Sequence, residues 1–272
     1  MESYINIPKV IYQTWINKNL QFMFSKKEII KKILLTASSS KEGHIPSALS
    51  ILDLLYVIYR DYVNTGNGRF VLSKGHASIG LYAILEHFNI LEENLENFCK
   101  FDSKLGGHPS CRLNSVECST GSLGHGFPFA LGLAMSQKYQ NSNIRIFTII
   151  GDGEANEGTI WETALLANHH RINNLCCILD YNHSTDRALG IGNMIDKFKS
   201  FGWLCNEVDG HDIPKISNIL SKLDSEKPYF VLAHTTKGKG IKCMENNPEW
   251  HHKIPSHIDC QRIIKEDLYD IS

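Results

Sequence analysis

The chain has 272 residues, with 28 Lys and Arg against 29 Asp and Glu, and 42% of its residues are apolar. A soluble chain of this length sits near the upper limit for one hydrophobic core. Its net charge of −1 provides no clustered cationic surface of the kind that nucleic acid or an anionic membrane requires. The longest apolar stretch, Ile51 to Tyr59, is interrupted by Asp53 and falls far short of the roughly 20 residues that span hydrocarbon.

In chain order, Met1-Glu2-Ser3-Tyr4 lacks the basic region and apolar core of a signal peptide, so a cytoplasmic protein with reduced cysteines is expected. Ser25-Lys26-Lys27-Glu28 reads as a capping box ahead of an amphipathic helix carrying Ile29, Ile30, Ile33 and Leu34. A second helix is expected over about Ser50 to Val63 and a short strand at Phe70-Val71-Leu72. Further helices follow from about Ala77 and from Leu123 to Tyr139.

The second half is more regular. Apolar runs at Ile144 to Ile150, Leu175 to Asp180, Trp203 to Val208 and Tyr229 to His234 alternate with helical patterns. Those patterns cover Glu157 to Arg171, Asn193 to Phe201 and Pro214 to Leu223. Such alternation predicts an α/β fold: a three-layer arrangement with a parallel sheet and helices on both faces. Ligands bind such sheets beyond the carboxyl ends of the strands. The segment after Lys239 reads as irregular. None of the eight cysteines forms a Cys-x-x-Cys pair, and Cys176 and Cys177, inside an apolar run, read as small core residues.

Two strand ends carry the most specific chemistry. Gly151-Asp152-Gly153-Glu154 follows one apolar run, and Asp180-Tyr181-Asn182 follows the next. The thirty residues between Asp152 and Asn182 accommodate one crossover helix, so the two strands are expected to be close neighbours. A carboxylate and a carboxamide oxygen would then share one sheet edge. Hard oxygen ligands of this type suit Mg2+, which is commonly held by one or two protein oxygens together with phosphates. Gly151 and Gly153 permit close backbone approach, and the following helix offers N–H groups to anionic oxygens. Gly-Asp-Gly alone is equally compatible with an ordinary strand-to-helix turn, with Asp152 as a cap and Asn182 as a loop residue.

Gly-Asp-Gly followed about thirty residues later by Asn resembles the cofactor motif of thiamine diphosphate enzymes. Other segments narrow the resemblance to transketolases: Gly43-His44-Ile45-Pro46, Val71-Leu72-Ser73-Lys74-Gly75-His76-Ala77, Gly106-Gly107-His108-Pro109, Ser119-Thr120-Gly121-Ser122-Leu123-Gly124-His125-Gly126 and Trp250-His251, in the expected order. The match runs from about Lys26 to Pro255. The Ser-Leu-Gly-His-Gly form is most similar to transketolases made as two separate chains, and a chain ending at Ser272 agrees with that. Residues 25–272 would be the pyrophosphate-binding domain and 1–24 an N-terminal extension.

The resemblance implies roles residue by residue. Asp152 and Asn182 would hold Mg2+ through their side chains, with the Ser184 backbone carbonyl as a further ligand. Gly153 would bind diphosphate through its N–H, and Gly121 and Leu123 would contact the cofactor ring, beside His76. His44, His76, His108 and His251 would line the substrate channel, where imidazoles can exchange protons with a ketose hydroxyl and stabilise an oxyanion. Each histidine taken singly is equally readable as a buried core residue satisfied by backbone. His125 would be a secondary contact, and His169, His170 and His252 receive no role. Glu157 matches a subunit-interface glutamate that couples to the carboxylate activating the cofactor; by itself it is also a favourable helix N-terminal acid.

The implied partner is a separate transketolase C-terminal subunit carrying the pyrimidine-binding domain, in an assembly of two such chains with two partners. The implied substrate is a phosphorylated or nucleotide-linked sugar. Two departures stand out. After Asn182 the chain reads His183-Ser184-Thr185-Asp186-Arg187-Ala188-Leu189-Gly190, shorter than the usual loop and different from its Gly-Leu-Gln type sequence. Ile7 to Trp15 resembles the opening of some glycosyltransferases, although no Asp-x-Asp motif occurs in the chain. The competing expectations are the alpha subunit of a 2-oxoacid decarboxylating enzyme, against which the Ser-Lys-Gly-His and Gly-Gly-His-Pro elements argue, and a non-catalytic cofactor-binding subunit.

Overall fold

Five strands, β1 (Gly68–Leu72), β2 (Arg145–Gly151), β3 (Leu175–Tyr181), β4 (Leu204–Asp209) and β5 (Tyr229–His234), form one sheet in the order β1-β2-β3-β5-β4. Every pairing is parallel. The computed structural model describes residues 25–186, 188–223 and 226–269. The expected N-terminal extension and the stretch Ile7 to Trp15 lie outside the described residues.

Side-chain alternation along the strands explains the layering. On β3, Cys176 and Ile178 enter one core while Leu175, Cys177 and Leu179 enter the other. On β5, Tyr229, Val231 and Ala233 face the first core, and Phe230 and Leu232 the second. The first core is covered by α1 (Lys26–Ser40), α2 (Ile45–Ser50), α3 (Leu52–Ile58), α4 (Ser78–His87), α8 (Ile213–Ser221) and α9 (His257–Glu266). The second lies under α5 (Gly126–Tyr139), α6 (Gly158–His169) and α7 (Met194–Ser200). Cys176 and Cys177 are therefore small core residues, as expected, whereas Cys111 is exposed.

Several local expectations need correction. Ser25 makes no side-chain cap bond: the Glu28 N–H donates instead to the Ser25 backbone carbonyl at 3.1 Å, and the Glu28 carboxylate accepts from Lys31 at 2.6 Å. The helix expected over Ser50 to Val63 is divided. Pro46 sits in the first turn of α2, where its missing N–H costs nothing; Ile51 leaves helical geometry, and a π-helical turn at Tyr59–Val63 ends the segment. α5 begins at Gly126 rather than Leu123 because Gly124, at φ +80°, lies outside helical geometry, and the helix's early amide, Phe127 N–H, is received by Ser73 Oγ at 3.0 Å. The segment after Lys239 contains α9, whose capping box joins Ser256 to Asp259. Only Cys260 and Ile263 of α9 are buried, too few apolar positions to announce a helix. β4 departs from the buried-strand pattern: it is an edge strand with Val208 alone buried.

Candidate active site

The parallel register brings Gly151 opposite Asp180 at the carboxyl ends of β2 and β3. Asp152 and Asn182 consequently emerge at one sheet edge, as the thirty-residue spacing predicted. They line a cavity of about 500 Å³ together with His44, His76, His108, Gly121, Leu123, Gly153, Ser184 and His251. Of the residues given a catalytic, cofactor or metal role, Glu157 stands apart. It is exposed and occupies the N-cap position of α6, outside the cavity wall. His125 is also exposed and off the wall, its Nδ1 lying 3.0 Å from the Leu123 carbonyl.

Beneath the cavity lies a polar floor. Lys74 and Asp180 form an ion pair with side chains 1% and 0% exposed. Asp180 also receives Ser50 Oγ at 2.8 Å, Asn182 Nδ2 at 2.9 Å and the Thr235 hydroxyl. Burial alone would raise this carboxyl, but the Lys74 ammonium, aided by the hydroxyls, holds it below the usual range. Because Asn182 donates its amide nitrogen to Asp180, its Oδ1 is left on the opposite side, where it accepts Ser184 N–H at 3.1 Å and Ser184 Oγ at 2.5 Å. Asp152 accepts Gly153 N–H at 2.8 Å and Thr185 N–H at 3.2 Å.

The residues present fit a divalent cation and a phosphate group. Asp152 is 4% exposed, forms no ion pair among the described residues, and is raised by burial; a buried carboxylate in that condition is completed by a cation. Asn182 Oδ1 and Ser184 add neutral oxygens. An added Cβ on Gly153 would meet nothing within 4 Å, so the space over this residue is open to an incoming group.

Three contributors were missed by sequence reasoning. Glu154, 1% exposed, accepts Ser73 Oγ at 2.5 Å, Gly124 N–H at 2.9 Å and Gly151 N–H at 3.2 Å, stapling three loops around the cavity. Burial raises its carboxyl. Lys237, after β5, places Nζ 2.9 Å from Ser184 Oγ and 3.1 Å from His251 Nδ1. It has no ion pair among the described residues, and burial followed by the charge of Lys74 lowers its ammonium. It could serve phosphate oxygens. His252 packs edge-on against His44 with ring centroids 4.5 Å apart. Ser73, Lys74, Gly124 and Glu154 lay inside quoted motifs, but nothing in those motifs signalled their contacts.

The imidazoles cluster. His44 lies 5.3 Å from His76 and 6.0 Å from His251 between ring centroids, and a Cβ on Gly121 would sit 3.2 Å from the His108 ring. Burial, then the neighbouring imidazoles of His252, His251 and His108, push His44 down to about 4. Burial and Lys74 lower His76 to about 2, while burial and Lys237 lower His251. These three rings are held toward the neutral form, which can both donate and accept a hydrogen bond.

Residues 27–261 match the family profile described as transketolase, thiamine diphosphate binding domain. The chain is 32% identical over 252 residues to an apulose-4-phosphate transketolase subunit of Phocaeicola vulgatus, covering 87% of this chain and 90% of that one. Its counterpart in Actinobacillus succinogenes is 35% identical over 252 residues, covering 87% and 91%. Human transketolase is 34% identical over 248 residues, covering 85% of this chain and 39% of that protein. Among solved structures, transketolase from Campylobacter jejuni superposes with a TM-score of 0.78 at 28% identity, covering 90% of this chain and 44% of that one. The chain thus spans nearly the whole of the two apulose-4-phosphate transketolase subunits and less than half of the longer transketolases. Motifs, parallel sheet and cavity agree with these matches, and the chain belongs to the thiamine diphosphate-binding domain family of transketolases.

Proposed function

We propose that this chain is the N-terminal subunit of a two-chain transketolase-type enzyme that transfers a two-carbon ketol unit between ketose and aldose sugars, using thiamine diphosphate and Mg2+. The observation that carries the reading is the convergence of Asp152 and Asn182 at one sheet edge, with His44, His76, His108 and His251 around the same cavity. Thiamine diphosphate supplies the electron sink for carbanion chemistry through its thiazolium ring. This chain's residues bind and orient. Asp152, Asn182 and Ser184 hold Mg2+, Gly153 N–H and the Lys237 ammonium serve the diphosphate, and Gly121, Leu123 and His76 contact the cofactor. The neutral imidazoles move protons at the sugar hydroxyl and carbonyl oxygens.

The partner carries the pyrimidine-binding domain, in an assembly of two such chains and two partners, with Glu157 at the contact between them. Residues 25–272 form the cofactor-binding domain, with 1–24 as an extension. The two bacterial relatives of similar length are named for apulose-4-phosphate, which supports a sugar phosphate substrate. No helix among the described residues is long and apolar enough to cross a membrane, and a cytoplasmic location is part of this proposal.

The test is affinity purification of the tagged chain from its native cell extract with Mg2+ and thiamine diphosphate, identification of a stoichiometric companion by mass spectrometry, and assay of the complex. Ketol transfer from a ketose phosphate that is abolished by Asp152→Ala supports the reading. Pyruvate decarboxylation without ketol transfer overturns it, as does ketol transfer that survives Asp152→Ala in a folded complex.

A further inference from the structure

Behind the turn that follows β5, outside the cavity wall, three buried side chains from distant segments meet. Lys26 Nζ at the start of α1 lies 2.5 Å from Asp53 Oδ2 on α3, and Nδ1 of His211, just before α8, lies 2.8 Å from the same oxygen. Their side chains are 5%, 1% and 9% exposed. On its far side, the His211 ring receives the Thr236 backbone N–H at Nε2, at 2.8 Å. That donor requires Nε2 to be unprotonated, and the carboxylate of Asp53 can only accept, so the hydrogen resides on Nδ1. One neutral tautomer satisfies both contacts.

Thr236 stands between two residues of the site. The Thr235 hydroxyl donates to Asp180 in the polar floor, and Lys237 reaches the cavity wall. The turn is also held by Gly238 N–H to the Pro46 carbonyl at 3.0 Å and by Asn246 N–H to the Lys237 carbonyl at 2.9 Å. Gly238 has φ +84°, and a Cβ there would lie 2.5 Å from the Met244 carbonyl oxygen. A flexible lysine side chain is aimed only as well as its backbone is fixed, and the Thr235–Thr236 peptide, one unit before the peptide that leads into Lys237, is oriented by the bond to His211.

We propose that His211 is a positioning residue for Lys237, using its neutral Nδ1–H imidazole to tie the turn after β5 to the buried Lys26–Asp53 pair and so to hold the ammonium toward the diphosphate site. This inference rests on the thiamine diphosphate reading above. Loss of the imidazole leaves the Thr236 N–H without its acceptor unless the turn moves. Movement of the turn carries Lys237 with it.

The experiment uses the full 272-residue chain. In wild type labelled with 15N, His211 is expected to show a protonated Nδ1, an unprotonated Nε2 and a scalar coupling across the hydrogen bond from the Thr236 amide to Nε2. A ring protonated at Nε2, or no such coupling, overturns the proposal. Inorganic pyrophosphate with Mg2+ is then titrated calorimetrically into wild type, His211→Leu and His211→Gln. His211→Leu is expected to bind about tenfold more weakly, the equivalent of one lost hydrogen bond, and His211→Gln, which retains a donor and an acceptor, within about threefold of wild type. Wild-type affinity in a folded His211→Leu chain overturns the proposal. If the Leu variant does not fold, a folded Gln variant that weakens binding about tenfold, while keeping its Thr236 amide as protected from exchange as in wild type, also overturns it. Failure of wild type to bind pyrophosphate overturns the cofactor reading instead, and the tautomer and coupling still decide the tie between His211 and Thr236.

Discussion

Lys74→Met is predicted to destabilise the chain by about 3 kcal/mol, at the lower end of the 3–5 kcal/mol associated with removing one partner of a buried ion pair. Methionine retains most of the lysine stem, so the substitution removes the charge while leaving little cavity. Asp180, fully buried, then retains only neutral donors: Ser50 Oγ at 2.8 Å, Asn182 Nδ2 at 2.9 Å and the Thr235 hydroxyl. These three bonds, each contributing roughly 1 kcal/mol, place the cost at the lower end. Urea unfolding followed by circular dichroism measures it. With a slope of about 2–3 kcal/mol/M, the midpoint should fall by about 1–1.5 M. Lys74→Met combined with Asp180→Asn removes the orphaned charge and keeps an acceptor, so the double variant should regain at least half of the loss. A single-variant cost below about 1 kcal/mol, or no recovery in the double variant, refutes the account of the floor.

Asp152→Asn should abolish Mg2+-dependent binding of thiamine diphosphate without lowering the melting temperature, because burial already raises this carboxyl and its charge costs stability; unimpaired binding by calorimetry would sink the ligand assignment. His44, held at about 4 by burial and its imidazole neighbours, takes up its proton later than the same residue unfolded, near 6.5. The unfolded state therefore binds more protons between about pH 6.5 and 4, and His44 contributes a fall in stability as pH drops through that window and none above it; an NMR titration midpoint near 6.5 would contradict this. Ser256→Ala should remove the capping box of α9 and cost about 1 kcal/mol, read from the thermal midpoint with the β-sheet signal retained. Gly238→Ala forces both a positive φ and a close approach to the Met244 carbonyl, and should cost at least about 1–3 kcal/mol by urea unfolding.

Asp152 and Asn182 were legible because strand, crossover helix and strand have a constrained length, which ties residue spacing to position at a sheet edge. The imidazoles were legible only through their motifs, since nothing in the local pattern around His44 or His251 implies that their rings approach within 6.0 Å. Lys74 with Asp180, and Glu154 with Ser73 and Gly124, join residues far apart in sequence, and their partners become apparent only when the loops are assembled. The division between α2 and α3 eluded periodicity because residues 45–58 are all buried, and a helix covered on every side has no polar stripe to mark its breaks. α9 was overlooked for the opposite reason: with two buried residues, its capping pair Ser256 and Asp259 carried more information than its apolar pattern.

The layer over the first core is begun by α1 and closed by α9, with Cys260 Sγ directed 3.6 Å from the Leu34 carbonyl. That contact spans 226 residues. After Leu34, a ribosome adds 226 residues to reach Cys260, so a nascent chain that has built β1 to β3 and the opposite layer still exposes part of the apolar face of α1. Closure must await residues near 260. The long interval makes this flank the natural substrate for holding chaperones during synthesis and the place where a truncated translation product would first aggregate.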